Sequence, residues 1–414
     1  MKKIVILGAG TAGTMIVNKL RKAFDKSQME ITIVDEKKTH YYQPGFLFIP
    51  FGKYTIEDVK KPKIDFLPKD IHVIFDGINL IDAENNVVLL SNGDVLGYDL
   101  LIVASGTKTR PDQTPGLLGK LWYKKIFDFY TVEGALALHE FFKSWEGGHL
   151  VISITEIPIK CPVAPIEFVL LADEYFTKKG IRNKVKISFV TPLSGCFTKP
   201  IASHMLSKLL KTKDIHVIPD FYLESVDNEK SAIKSYNDIH INFDALVIVP
   251  VNMGDEMIAR SGLGDDLNYV PTNKETLQSI KHKNIFVLGD ASNIPTSKAG
   301  SVAHFSSEIL FENIVNYINE KPLNAKFDGH SNCYIESGFN KASLIDFNYD
   351  TEPMPGTYPI SGLGPFSLLK PTLINHFGKL FFRWIYWNML IKGKKLPVSD
   401  KMSMKGKIQN YKLN

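Results

Sequence analysis

Three cysteines, no long apolar run and no charged leader are the shortages of this 414-residue chain, and each excludes something. An odd and small number of thiols does not build a structural disulfide framework, so Cys161, Cys196 and Cys333 are candidates either for redox work or for plain burial. Without about 20 consecutive apolar residues, no helix is expected to span a bilayer. No positively charged stretch followed by an apolar segment precedes the first predicted strand, so no secretory signal peptide is expected. Internal repeats and low-complexity tracts are missing as well. What is left is an ordinary folded composition, 44% hydrophobic and 22% charged, at a length that suits two or three domains.

The chain opens with a short apolar run, Lys3 to Leu7, which flows into Gly8-Ala-Gly10-Thr11-Ala12-Gly13 and then an amphipathic stretch through about Phe24. Strand, glycine turn and helix in this order make a phosphate-binding unit. The first glycine permits the tight turn, the second admits a pyrophosphate to the backbone, and the third lets helix and strand pack closely. The next predicted strand ends in Asp35, 22 residues beyond Gly13, near the spacing of a carboxylate that holds a ribose hydroxyl. His40-Tyr-Tyr-Gln-Pro-Gly45-Phe follows as a polar and aromatic loop expected near the cofactor. Later strands break into small residues at Ala104-Ser105-Gly106 and at Gly289-Asp290, and the second break is followed by Lys298-Ala-Gly300. Small residues let a backbone approach a ligand.

Together these four stretches resemble the FAD-binding domain of the two-dinucleotide-fold flavoproteins. The resemblance implies that Gly8, Gly10, Thr11, Ala12, Gly13, Asp35, Ala104, Ser105, Gly106, Gly289, Asp290, Lys298 and Gly300 line a FAD site. Asp290 would face the ribityl and pyrophosphate, and Lys298 would face the isoalloxazine.

Such flavoproteins carry a second glycine loop for NAD(P)H in mid-chain. Here the apolar strand around Leu150 to Ile154 runs instead into Thr155-Glu-Ile-Pro158-Ile-Lys-Cys161-Pro-Val-Ala-Pro165. Prolines lack the N–H groups of a phosphate cradle, so the nicotinamide site is expected to be absent. A thiol stands in its place, just ahead of a helix predicted from Ile166 to about Tyr175, whose N-terminus would favour a partial thiolate on Cys161. The second thiol of interest, Cys333, lies 172 residues further on, so only the fold can unite them.

The stretches Cys161-Pro-Val-Ala-Pro165-Ile-Glu167 and Cys333-Tyr-Ile-Glu336-Ser-Gly338 are similar to the paired cysteine motifs of the sulfide:quinone oxidoreductases. That resemblance runs through nearly the whole chain, including Gly364-Pro-Phe-Ser-Leu-Leu-Lys370 and Met402-Ser-Met404-Lys-Gly406-Lys. It implies that Cys161 and Cys333 carry sulfide sulfur as a disulfide, persulfide or short polysulfide bridge. Hydrosulfide would attack the bridge, and two electrons would pass to FAD. Glu167 would handle protons, or else serve only as an N-terminal helix carboxylate. The third family cysteine, a covalent flavin attachment in some members, has no counterpart at 120–145, so FAD is expected to be bound non-covalently. Cys196 has no family counterpart and reads as structural.

From Lys370 to the end there are ten Lys or Arg and a single acid, Asp400. Leu380 to Ile391 is apolar and aromatic around most of a helix. Twelve residues at about 1.5 Å each reach roughly 18 Å, short of a hydrocarbon core of about 30 Å. The segment is therefore expected to lie in one leaflet, with its tryptophans at the interface and Lys392, Lys394 and Lys395 on anionic headgroups. A core or dimer-interface helix is the alternative. Phe366, Phe377 and Phe381 are the candidates to stack on a quinone ring.

The expected fold class is α/β: two Rossmann-like, three-layer domains plus a C-terminal amphipathic helical membrane region. The FAD domain takes 1–110 and 240–325, a second domain without the NAD fingerprint takes 111–239, and the membrane and quinone region takes 330–414. The expected function is sulfide oxidation through a cysteine pair and FAD to a membrane quinone, by a peripheral protein of the cell membrane, as a monomer or a homo-oligomer. A type II NADH:quinone dehydrogenase and a non-catalytic redox-sensing membrane flavoprotein are the alternatives. No metal and no nucleic acid are expected as partners.

Overall fold

The structure is a computed structural model that describes residues 1–360, 362–409 and 411; positions 361, 410 and 412–414 of the expected C-terminal region lie outside the described residues. Two parallel five-stranded sheets organise it. The first runs in the order Ile285–Val287, Leu100–Val103, Lys2–Leu7, Met29–Val34, His72–Ile74. The second runs Ile126–Phe127, Ala245–Val249, Gly148–Ile154, Val185–Val190, Ile215–Ile218. Their strands are near-continuous apolar runs because both faces of each sheet are covered, by helices on one side and by a small antiparallel sheet, 78–97 over the first and 223–242 over the second, on the other. Leu100–Val103, for example, is buried along its whole length.

Helix Thr11–Ala23 packs against helix Gly300–Ile318 over the first sheet. The glycine turn that precedes Thr11 sits at the carboxyl end of Lys2–Leu7, between strands whose connections run in opposite directions. That is where an open α/β sheet leaves its binding crevice. The strand Ala245–Val249 belongs to the second sheet, so the chain returns to the first domain near residue 250, later than the expected 240. An antiparallel pair, Thr107–Arg110 with Val251–Gly254, carries the two crossings between domains.

The C-terminal region is less helical than expected. It holds a four-stranded sheet in the order Ser331–Glu336, Ala342–Phe347, Gly364–Leu368, Gly356–Ile360, against which helix Leu373–Ile385 packs. Cys333 is on the first of these strands. Thr372 caps the helix by accepting from the Asn375 amide, and a π-helical turn, Tyr386–Leu390, ends it. Among the described residues no helix is long and apolar enough to cross a membrane.

Candidate active site

The first glycine turn has the shape a dinucleotide needs. A Cβ on Gly13 would lie 1.8 Å from the carbonyl oxygen of Gly8, and one on Gly8 would lie 2.5 Å from that of Ala104. Gly10 has nothing within 4 Å on that side, which leaves an open approach to the first amides of the helix. Asp35 braces this turn. Its Oδ2 accepts from the Ala9 amide at 2.7 Å, while Oδ1 accepts from the Lys37 amide at 2.8 Å and pairs with Lys63 at 2.5 Å. One lone pair on Oδ2 remains for a ribose hydroxyl.

Two further groups fit a bound FAD. Ser105 Oγ is buried with no partner at the end of its strand. The Asp290 carboxylate accepts from no donor among the described residues, and burial raises its pKa against the pull of Lys298 and Lys160. Polar groups left in this state are completed by a ligand. Lys298, by contrast, is already engaged. Its ammonium donates to the carbonyls of Asp290 and Ser292 and lies 3.6 Å from the Tyr269 ring centroid, and burial brings its pKa down to about 8. Lys160, the other lysine acting on Asp290, is less engaged: its ammonium has a 3.4 Å contact with Gln43.

The second domain's turn holds a thiol where the first holds glycines. Cys161 adopts φ +46°, and its amide donates to the Lys298 carbonyl at 2.7 Å, which ties the turn to the first domain. Its own carbonyl accepts from the Ala164 amide at 2.8 Å, at the start of helix Ala164–Lys178. Beside the same turn, a cavity of about 780 Å³ opens at the carboxyl edge of the second sheet. Among the described residues Glu156 and Glu224 line it and no Lys or Arg does, while Lys234 beside it is already paired with Glu224 at 3.0 Å. A nucleotide's phosphates would find neither a glycine cradle nor an unpaired cation there.

Cys161 and Cys333 are both free thiols in one electrostatic neighbourhood, since each is influenced by Glu167 and by Lys379 and Cys161 also by Cys333. Burial pushes the Cys161 thiol well up, with Glu167 adding to it, and pushes Cys333 up to about 11 against hydrogen bonds from Ser301 and Ser331. The expected helix-stabilised thiolate at Cys161 is therefore corrected. Desolvation and a nearby carboxylate outweigh the helix N-terminus, which begins three residues later.

Glu167 sits in the first turn of that helix, fully buried. It accepts from the Glu336 amide at 2.6 Å and forms an ion pair with Lys379 of helix Leu373–Ile385. Burial raises its pKa, while Lys379 opposes the rise. One turn earlier on the same helix, His376 Nδ1 lies 2.9 Å from buried Glu336. Sequence reasoning assigned no role to Lys379, His376 or Glu336. Glu336 stood inside the Cys333 motif, and a polar pair three apart on an otherwise apolar helix was the signal for the other two.

The same helix presents its opposite face to the outside. Phe377, Phe381 and Trp384 are 59%, 56% and 52% exposed, with Phe381 stacked on Trp384 at 5.3 Å. Of the three phenylalanines singled out, only Phe366 points inward, edge-on to Tyr334 at 5.7 Å. Trp387 is corrected too: it is 5% exposed and packs among Phe66, His40 and Tyr386, so it is core and not interface. The tail's cations are partly engaged in ion pairs, Lys379 with buried Glu167 and Lys407 with buried Asp346 inside, and Arg383 with Asp58 nearer the surface. Cys196 is buried and takes a hydrogen bond from Ser207.

A model of the pyridine nucleotide-disulphide oxidoreductases matches residues 2–144. The mitochondrial sulfide:quinone oxidoreductase of Dictyostelium discoideum is 30% identical over 398 residues, covering 95% of this chain and 86% of the relative. The chain belongs to the sulfide:quinone oxidoreductase family. The X-ray structure of the sulfide:quinone oxidoreductase from Aquifex aeolicus superposes with a TM-score of 0.79 at 22% identity, covering 95% of this chain and 92% of that one, which shows the shared fold. A type II NADH:quinone oxidoreductase of Staphylococcus aureus is also similar, at 24% identity over 77% of this chain and 83% of the relative. Membership makes this chain a flavoprotein oxidoreductase, and the glycine turn, Ser105 and Asp290 fit the FAD that the family implies.

Proposed function

We propose that this protein oxidises sulfide at the Cys161–Cys333 pair and delivers the electrons through FAD to a membrane quinone. The observation that carries it is the replacement of the second dinucleotide loop by a thiol whose amide is fastened to Lys298, in the same buried field as a second thiol from a separate sheet.

In the oxidised pair, hydrosulfide attacks one sulfur of the disulfide. One S–S bond breaks, one cysteine becomes a persulfide and the other leaves as a thiolate. Because burial disfavours charge on either sulfur, the released thiolate is a strong electron donor. Loss of two electrons and the persulfide proton closes a Cys–S–S–S–Cys bridge; in this reading Glu167 takes that proton, and its pairing with Lys379 supports the assignment. FAD, when bound, supplies the two-electron acceptor. A further hydrosulfide extends or releases the sulfur chain.

Peripheral membrane attachment belongs to the same reading. The exposed stripe of Ile374, Phe377, Phe381 and Trp384 would rest in one leaflet, where a quinone partitions. The likeness to a type II NADH:quinone oxidoreductase supports a second reading with NADH as donor, which the cation-free cavity disfavours.

The test is anaerobic rapid mixing with sulfide and, separately, with NADH while oxidised flavin absorbance is followed. Fast bleaching by sulfide, lost in Cys161→Ser and in Cys333→Ser, is expected. Bleaching by NADH alone would replace this reading with the second.

A further inference from the structure

The exposed-faced helix and the glycine turn are joined by a hydrogen-bond chain that the sulfur chemistry does not use. Tyr386, just past the helix end, places its hydroxyl 2.6 Å from Thr11 Oγ1, on the first residue of the glycine-turn helix. The same hydroxyl lies 2.7 Å from His40 Nε2. Tyr386, His40 and the neighbouring Trp387 are buried, so water does not compete for the Tyr386–His40 bond, and Thr11 at the other end is half-buried. Separate bonds fasten the same segment further along the glycine-turn helix. Asn18 Nδ2 donates to the Ile391 carbonyl at 3.1 Å, and Lys22 Nζ donates to that of Lys392 at 2.9 Å. Gly393 approaches so closely that a Cβ there would meet the Met15 carbonyl oxygen at 3.0 Å.

We propose that Tyr386 is a positioning residue for the dinucleotide turn: through Thr11 it fixes the turn in its cofactor-binding shape, so that FAD occupancy and the seating of residues 386–393 against that turn stabilise one another. The inference rests on the FAD reading above. Thr11 stands where the helix N-terminus meets the pyrophosphate, and a hydroxyl free to rotate would have to be ordered at the moment of binding. A Thr11 hydroxyl already held by Tyr386, whose own hydroxyl is held by His40, has that ordering cost met in advance. Linkage makes the effect reciprocal: whatever Tyr386 contributes to holding FAD, bound FAD contributes to holding Tyr386, and with it residues 386–393 against the first domain.

The readout is FAD release from the holoenzyme, followed by the recovery of free flavin fluorescence on dilution. Tyr386→Phe keeps the ring packing and removes the hydroxyl, and it is expected to speed release about five- to tenfold. In a Thr11→Ala background the same substitution is expected to change release by less than about twofold, because the two act through one contact. Arg383→Met breaks the Arg383–Asp58 pair on the same helix without touching the turn, and it is expected to leave release unchanged. Should Tyr386→Phe give no holoenzyme, hydrogen exchange on the wild type decides: amides of 386–391 are expected to exchange at least about tenfold faster once FAD is removed. Wild-type release in Tyr386→Phe, an equal factor in the Thr11→Ala background, an equal effect from Arg383→Met, or exchange indifferent to FAD would each overturn the proposal. A wild-type protein purified without flavin would overturn the FAD reading along with it.

Discussion

The two parallel-sheet domains share an architecture and differ at one turn. After Leu7 the first domain spends six residues on three glycines and leaves its amides open; after Ile154 the second spends its turn on prolines, a glutamate and Cys161, and closes the key amide on Lys298. The sheet itself does nothing to choose between a phosphate and a sulfur ligand. The choice is made by whether the backbone N–H groups at the strand's end are free, and by what side chain the turn can hold there.

The sharpest way to break the comparison is to give the first turn a side chain. Gly13→Ala puts a methyl 1.8 Å from a carbonyl oxygen, so the purified protein is expected to lack flavin absorbance near 450 nm altogether. Removing the thiol from the second turn acts on chemistry alone: Cys161→Ser is expected to retain FAD and to slow flavin reduction by sulfide on the order of a thousandfold or more in stopped flow.

Lys379→Met tests the shared floor beneath the two thiols. It leaves Glu167 buried without its partner, and a loss of about 3–5 kcal/mol in urea unfolding is expected, smaller if Glu167 takes up a proton. A pH titration separates the first domain's hydrogen-bonded interior from the rest. His40 and His304 are both pushed down to about 4 by burial, whereas the unfolded chain protonates them near 6.5. The unfolded state thus binds more protons between those values, so stability is expected to fall as pH drops from about 6.5 to 4 by a few kcal/mol, and His40→Gln should flatten that slope. The smallest effect is expected at Cys196→Ala, with sulfide reduction unchanged and a stability loss of about 1–2 kcal/mol by the same unfolding measurement.

The turns were legible because their residues have few other uses: glycine at a positive φ with a carbonyl against its missing Cβ, and a thiol flanked by prolines where amides should be. Ion pairs were not legible. Glu167, Glu336 and Lys379 come from three segments separated by more than 40 residues, and a lysine on an aromatic helix reads as an outward cation until the sheet beneath it is known. The same cause misplaced Trp387. An unbroken aromatic run suggested one amphipathic helix, but the helix stops at Ile385, and the π-helical turn carries Tyr386 and Trp387 to the inside. The C-terminal sheet escaped notice because its strands are short and two of them contain proline.

Helix Leu373–Ile385 pairs Lys379 with buried Glu167 on one side and shows Phe377, Phe381 and Trp384 on the other, a thickness of about 10 Å. Whatever covers the outer side is therefore only one helix diameter from the inner ammonium. A detergent molecule resting on that outer side would be a neighbour of the ion pair, so kinetic constants measured with and without surfactant are expected to differ.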